Sequence, residues 1–129
     1  MEWNDGKENP EGGYSGEVAK EGGQDAYGDA ESRDLSGSGA SGGQVTARAT
    51  VLMDVMESGN LTAGDVLVTR QTDPGWAPVF FVVSGLIMER GGMLSHGAII
   101  AREYGIPTVV GVKDATRRIQ SGQRVSVDG

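Results

Sequence analysis

The sequence predicts an α/β domain that follows a disordered, acidic N-terminal tail, and three observations support this fold class. Short alternating apolar segments, typical of strands, are interleaved after residue 37 with stretches of helix-forming residues. The net charge of −7 lies entirely within residues 1–44, and residues 45–129 have equal numbers of acids and bases. Residues 1–44 also hold eleven of the 22 glycines and few aliphatic side chains.

Residues 1–36 are predicted to be the disordered tail. A segment that is acidic, Gly-rich and poor in apolar residues buries too little surface to offset the entropy lost on ordering. The simpler interpretation is a solvating tail, and the alternative is a tether that lets the rest of the chain travel between partners. Residues 37–129 then form one globular domain of ordinary size.

The first half of this domain contains strand and turn signals. Residues 44–53 alternate apolar and polar side chains, which predicts a strand with one solvent-exposed face. A turn at residues 61–64 leads into a second strand at residues 65–69. Residues 72–75 have the Asp and Pro of a turn or helix start, and residues 76–83 are either a short buried helix or a strand.

The strongest helix signal covers residues 97–104. Ser95 is a favoured N-cap residue, Gly105 is favoured just past a helix, and Pro107 stops the helix from continuing. A glycine-containing loop, residues 90–96, joins this helix to a strand predicted before it. The remaining predicted elements are strands at 85–89 and 108–111, a short helix at 115–119 and a last alternating strand at 124–128.

Composition excludes several classes of protein. The chain has no Cys, so it has neither a disulfide nor a thiolate metal site. It has no apolar run of transmembrane length, no basic patch for nucleic acid, and no signal-peptide pattern at its start. We therefore expect a cytoplasmic protein without a nucleic-acid or membrane partner.

His96 is the candidate catalytic residue and the only histidine. It follows the N-cap candidate Ser95 and the pair Gly91–Gly92, at the start of the predicted helix. Free backbone N–H groups and the positive end of the helix dipole favour a phosphate there. A neutral ring nitrogen has the lone pair that attack on phosphorus needs, and the glycines leave room for a bulky donor.

Other roles for this histidine are less well supported. His96 could act as a general base or a metal ligand, but a structural metal site usually has four protein ligands. The sequence offers one His, no Cys and no nearby paired carboxylates, so no metal is expected. A serine hydrolase is disfavoured because Ser95 is adjacent to His96 in sequence and does not lie in a Gly-x-Ser-x-Gly elbow.

Residues 91–111 read GGMLSHGAIIAREYGIPTVVG and resemble the phosphohistidine signature of the PEP-utilising enzyme mobile domain. This family includes phosphoenolpyruvate synthase, pyruvate phosphate dikinase and rifampicin phosphotransferase. Further similar segments are residues 39–48, 64–68, 72–80 and 122–129, so the resemblance covers roughly residues 37–129.

The resemblance implies a swivelling β/β/α domain that is phosphorylated on Nε2 of His96. Ser95, Gly97, Gly91 and Gly92 are, by the same resemblance, weaker candidates than His96 for a role, namely holding the phosphate. Arg102 is a weaker phosphate-binding candidate, and a surface helix arginine paired to an acid is an equally good interpretation. Three further matching residues are assigned to packing and to the docking face: Thr72, Asp73 and Trp76.

The resemblance also implies partners, because a phosphoryl carrier needs a donor site and an acceptor site. An ATP-grasp subunit or domain would hold ATP and Mg²⁺, and this chain itself would bind no cofactor. A second partner would bind the acceptor, which could be pyruvate, a phenol or another hydroxyl compound. The chain would then be a phosphotransferase subunit or an excised domain that does not turn over alone. The alternative is a non-catalytic binding or regulatory module that retains the swivelling fold.

Overall fold

The computed structural model describes residues 15–20, 34–92 and 94–129. The strands are β1 (Ser15–Lys20), β2 (Asp34–Ser41), β3 (Gln44–Val51), β4 (Val66–Thr69), β5 (Gly85–Met88), β6 (Thr108–Val110) and β7 (Arg124–Asp128). The α-helices are α1 (His96–Tyr104) and α2 (Ala115–Arg118), and the 3₁₀ helices are Val55–Asn60 and Pro74–Phe81. None of the helices in these residues has the length and apolarity needed to cross a bilayer.

The strands close into one barrel in the order β1-β2-β6-β5-β4-β3-β7. Neighbours in the run β3-β4-β5-β6 are parallel, and the other pairs are antiparallel. The carboxyl ends of these four parallel strands therefore meet at one edge, called the carboxyl edge below. The predicted mixed α/β class is confirmed, and the strands form one closed barrel with few helices.

Strands β4, β5 and β6 are buried on both faces, as is usual where helices cover a parallel sheet. Leu67 and Leu86 belong to an apolar cluster with residues of α1 and the second 3₁₀ helix. Val66 and Ile87, one residue away on the same strands, belong to a second cluster that fills the barrel. This alternation explains why β4, β5 and β6 read as short continuous apolar runs.

Most of the predicted elements are confirmed close to their predicted positions, including β3 to β7 and both α-helices. The segment 76–83, which the sequence left open between helix and strand, lies mostly within the second 3₁₀ helix. That helix starts at Pro74 because Asp73 accepts a hydrogen bond from the N–H of Gly75 at 2.8 Å. The first 3₁₀ helix was not predicted, although Asp54 and Glu57 form a complete capping box at its start.

The predicted disordered tail needs a correction for residues 15–20 and 34–36. These residues form β1 and the beginning of β2, and they place Val18 and Leu35 in the barrel interior. Residues 15–19 of β1 pair with residues 34–38 of β2, and residues 17–20 also pair with β7. These pairings satisfy backbone hydrogen bonds of the two strands. The prediction rested on the average composition of the segment, which is acidic and Gly-rich and gives no sign of single buried positions. The other residues of 1–36 lie outside the described residues, so disorder stays a prediction there.

Asp65 anchors the amino end of β4 through hydrogen bonds to its buried carboxylate. Its Oδ2 accepts from the N–H of Thr62 at 2.9 Å, from the Thr50 hydroxyl at 2.8 Å and from Arg48 at 2.9 Å. Burial raises the pKa of Asp65, but the hydrogen bonds from Thr62, Arg48 and Thr50 outweigh it and lower the pKa below its usual range. Thr50 is consequently buried, although alternation placed it on the exposed face of its strand.

Candidate functional site

His96 is the first residue of α1 and follows the loop that leaves β5 at the carboxyl edge. The loop is fixed at Glu89, whose carboxylate accepts hydrogen bonds from the N–H of Thr116, at 2.7 Å, and from the Thr116 hydroxyl. Ligands bind preferentially beyond the carboxyl ends of parallel strands. The fold therefore places the imidazole at an edge that is suited to a functional site.

The helix begins at Ser95, the predicted N-cap, but this side chain does not cap it. Ser95 has an extended backbone, and its carbonyl accepts the first helical hydrogen bond, from Ile99 N–H at 3.0 Å. Its hydroxyl donates to the carbonyl of Gly92 at 2.8 Å instead of accepting from the first turn. The first turn of α1 therefore has no side-chain cap, and the positive end of the helix dipole lies there.

The imidazole of His96 has two unlike nitrogen atoms. Nδ1 is buried and has no hydrogen-bond partner among the described residues. Nε2 does not meet the same condition, and His96 as a whole is half-buried, so Nε2 is the less enclosed of the two nitrogen atoms. The ring of Phe80, from the second 3₁₀ helix, stands edge-on to it with centroids 6.4 Å apart. Nε2 is therefore the nitrogen that a reactant can reach.

Gly97 lets the first turn of α1 lie directly against the sheet. A Cβ at this position would be 2.6 Å from Thr72 Oγ1 and 2.8 Å from Met88 Cε, so only glycine fits without a shift. The Thr72 hydroxyl contacts Met88 Sδ at 3.9 Å, which places it beside the helix start. Close packing of glycine on these two side chains positions the neighbouring His96.

Two glycines precede the helix, and they differ in backbone conformation and in the space around them. Gly91 has a φ of +99°, a conformation that favours glycine, and a Cβ there would lie 2.9 Å from the hydroxyl of Ser95. Gly92 has open space around its Cα and accepts the Ser95 hydroxyl hydrogen bond. The predicted group Gly91, Gly92, Ser95 and Gly97 is thus brought together around His96.

Residues 61–129 of this chain match the family model described as "PEP-utilising enzyme, mobile domain". The chain belongs to this family. The curated relatives include a rifampicin phosphotransferase of Streptomyces sviceus, 56% identical over 95 residues, and one of Bacillus subtilis, 51% identical over 89 residues. A phosphoenolpyruvate synthase of Aeropyrum pernix is 46% identical over 91 residues.

These matches cover 74%, 69% and 70% of the chain, but only 11%, 10% and 11% of the respective relatives. The mobile domain described here therefore spans about a tenth of the length of the curated relatives it matches. The resemblance seen in the sequence is confirmed at the level of the family.

Arg102, the weaker phosphate candidate, lies away from the start of α1 in this mobile domain. It is in the last turn, about 9 Å along the helix axis from His96 at the usual rise per residue. Its guanidinium donates to the carbonyl of Ala40 in β2 at 3.1 Å. The contact ties α1 to β2, and a role in holding phosphate stays a prediction without support from this geometry.

The residues assigned to packing and docking lie around the second 3₁₀ helix. Trp76 is buried in the cluster beneath α1, in agreement with a packing role. Asp73 caps the 3₁₀ helix, and Thr72 lies beside Gly97. No group of three or more His, Asp or Glu side chains among the described residues could hold a metal ion.

Sequence reasoning missed Phe80 as the neighbour of His96, and it missed a cleft at the carboxyl edge. Nothing in the sequence links Phe80 to a histidine sixteen positions later. The cleft contains Arg70 and Arg90, each of which closely follows a parallel strand. The signal that could have found them is that the carboxyl ends of parallel strands converge.

Proposed function

We propose that this chain is a phosphoryl carrier in which Nε2 of His96 receives a phosphoryl group from an ATP-grasp partner and passes it to an acceptor. One observation carries the proposal. The imidazole has its Nδ1 buried and its Nε2 less enclosed, and it lies at the start of a helix that no side chain caps. A carrier needs this combination of a reachable nucleophile and an anion-binding backbone.

The transfer proceeds from the tautomer that has its proton on Nδ1. The Nε2 lone pair attacks phosphorus, the N–P bond forms, and the bond to the leaving phosphate oxygen breaks with its electron pair on that oxygen. In the second transfer an acceptor hydroxyl attacks the same phosphorus, and its proton passes to a base in the partner that binds the acceptor. The N–P electron pair then returns to Nε2, and His96 is regenerated.

The backbone of α1 stabilises the phosphorylated form. A phosphoryl group adds about two negative charges at neutral pH. The positive end of the helix dipole and the uncapped first turn of α1 can compensate part of this charge without a cationic side chain. A phosphoryl group held in this way remains accessible to the next acceptor.

The donor and the acceptor sites belong to partners in this proposal. ATP and Mg²⁺ are held by an ATP-grasp subunit or domain, and the domain swivels between that site and the acceptor site. Two acceptors should be tested first, an antibiotic hydroxyl and a pyruvate-derived compound. The names of the relatives, rifampicin phosphotransferase and phosphoenolpyruvate synthase, support this choice. The chain would not turn over by itself.

The test is reconstitution with Mg²⁺, ATP and the ATP-grasp portion of a rifampicin phosphotransferase supplied as a separate protein. The intact chain should gain one phosphoryl group that is labile in acid and stable in base, whereas His96→Gln should gain none. Arg117→Gln, a change at an exposed residue of α2, is the control and should be labelled like the wild type. Absence of an adduct on the wild-type chain, with a partner shown to be active on its own mobile domain, would support a non-catalytic binding module instead.

A further inference from the structure

A cleft of about 320 Å³ opens at the carboxyl edge, beside the element that carries Phe80. It is lined by Met53, Asp54, Val55, Arg70, Gln71, Asp73, Trp76 and Arg90. Its volume is at the lower end of the range of small-molecule sites, roughly 300–1,000 Å³. The cleft does not include the first turn of α1, so it is separate from the candidate site at His96.

Two arginines are held side by side in this cleft. Arg70 directly follows β4, and Arg90 lies two residues beyond β5, the neighbouring parallel strand. The N–H of Arg90 donates to the carbonyl of Arg70 at 2.8 Å, so their backbones are fixed together. The spacing of the two guanidinium stems is thus set by the sheet and not by a flexible loop.

Both guanidinium groups are available to a ligand. Arg70 and Arg90 are exposed, and neither side chain forms a hydrogen bond or ion pair with any part of the chain that the structure describes. The two acids of the cleft are already used as helix caps. Asp54 accepts from Met56 N–H at 2.9 Å, and Asp73 accepts from Gly75 N–H at 2.8 Å.

We propose that Arg70 and Arg90 form a second anion site that binds a phosphate group of a small phosphorylated molecule. Guanidinium groups donate paired, charge-assisted hydrogen bonds that match the geometry of phosphate oxygens. The carboxyl ends of parallel strands are where such ligands bind in α/β folds. The phosphate could be free inorganic phosphate or the phosphate of a nucleotide. Binding here does not depend on phosphorylation of His96.

The test is a titration of the full chain at low salt, followed by the backbone and guanidinium N–H resonances in NMR spectra. The probes are inorganic phosphate, AMP and adenosine. Phosphate and AMP should both give saturable shifts at Arg70 and Arg90, and adenosine should give none. A much lower Kd for AMP would identify a nucleotide as the source of the phosphate, and an equal Kd would identify free phosphate.

Substitutions distinguish binding in the cleft from general electrostatic attraction of phosphate to the protein. Arg70→Gln and Arg90→Gln should each raise the Kd for phosphate about tenfold, as expected for the loss of one charge-assisted pair. Arg117→Gln removes the same charge at an exposed residue outside the cleft and should change the Kd less than about twofold. Unchanged resonances away from the substitution would show that each variant is folded.

Three outcomes would overturn the proposal. They are no saturable shift with phosphate, equal weakening by all three glutamine variants, and saturable binding of adenosine. The variant His96→Gln distinguishes this anion site from the carrier function. It should abolish phosphorylation by the ATP-grasp partner and leave the binding of inorganic phosphate in the cleft unchanged. Loss of phosphate binding in His96→Gln would place the anion at the start of α1. That result would refute the proposal that the cleft binds phosphate.

Discussion

The ring of Phe80 meets the imidazole of His96 edge-on, with centroids 6.4 Å apart and ring planes at 71°. Phe80 is only 3% exposed, so its position is fixed by the core beneath α1. This contact accompanies the burial of Nδ1, which leaves Nε2 as the accessible nitrogen. The second 3₁₀ helix therefore sets the orientation of a side chain that belongs to α1.

Phe80→Leu should loosen the imidazole while preserving the fold. We expect a loss of about 1–1.5 kcal/mol in the free energy of unfolding, because leucine keeps the site apolar but leaves part of the ring's volume unfilled. The His96 ring should then sample more than one orientation, which ¹⁵N imidazole spectra of the isolated chain would detect. Phe81→Leu is the matched control, since Phe81 is 73% exposed and should leave the spectra unchanged. Identical spectra for both variants and the wild type would contradict the positioning role.

Gly97→Ala should destabilise the protein by about 1–3 kcal/mol, because the new methyl group overpacks the start of α1. Its Cβ would meet Thr72 Oγ1 at 2.6 Å, and Thr72 is β-branched and cannot easily move aside. Gly92→Ala is the control, because its Cβ would meet nothing within 4 Å. Chemical denaturation of the two variants measures the difference. Equal stability would mean that the helix does not lie as close to the sheet as described.

Ser95→Ala should cost less than the usual loss of a helix N-cap, which is about 0.5–2 kcal/mol. The Ser95 hydroxyl donates to Gly92 and accepts nothing from the helix, so no cap hydrogen bond is lost. Asp54→Ala removes a complete capping box and should show the full cost. Urea unfolding of both variants tests this comparison. A larger loss for Ser95→Ala would show that Ser95 does cap α1 in solution.

Asp65 should make stability depend on pH in the acid range. Its pKa in the folded protein is lowered, so it stabilises the fold above its unfolded pKa of about 3.9. This contribution is lost as the pH falls below about 4 through the lower, folded pKa. Asp65→Asn should be less stable than the wild type near neutral pH and should lose less stability on acidification. Parallel pH profiles for the two proteins would contradict the network around Asp65.

The sequence predicted the parts of the site that depend on local signals. Ser95, Gly105 and Pro107 bound α1 in the sequence, and the helix runs from His96 to Tyr104 as this pattern indicates. The C-terminal end follows because Gly105 adopts a φ of 68° and donates to Ala101 and Arg102. Such signals involve residues that are close together in sequence, so they can be recognised without knowledge of the fold.

Features that depend on distant pairing could not be predicted. β1 is a strand because Val18 is buried between β2 and β7, and its Gly-rich, acidic context gives no such signal. The approach of Phe80 to His96 results from the packing of the second 3₁₀ helix on α1. Arg70 and Arg90 are twenty positions apart and become neighbours only when β4 and β5 pair.

The measurement that tests the central claim most directly is the ¹⁵N–³¹P NMR spectrum of the ¹⁵N-labelled chain after phosphorylation by an ATP-grasp partner. The account predicts a single phosphoryl group bonded to Nε2 of His96, because Nδ1 is buried. A phosphoryl group on Nδ1, or on any residue other than His96, would contradict the account.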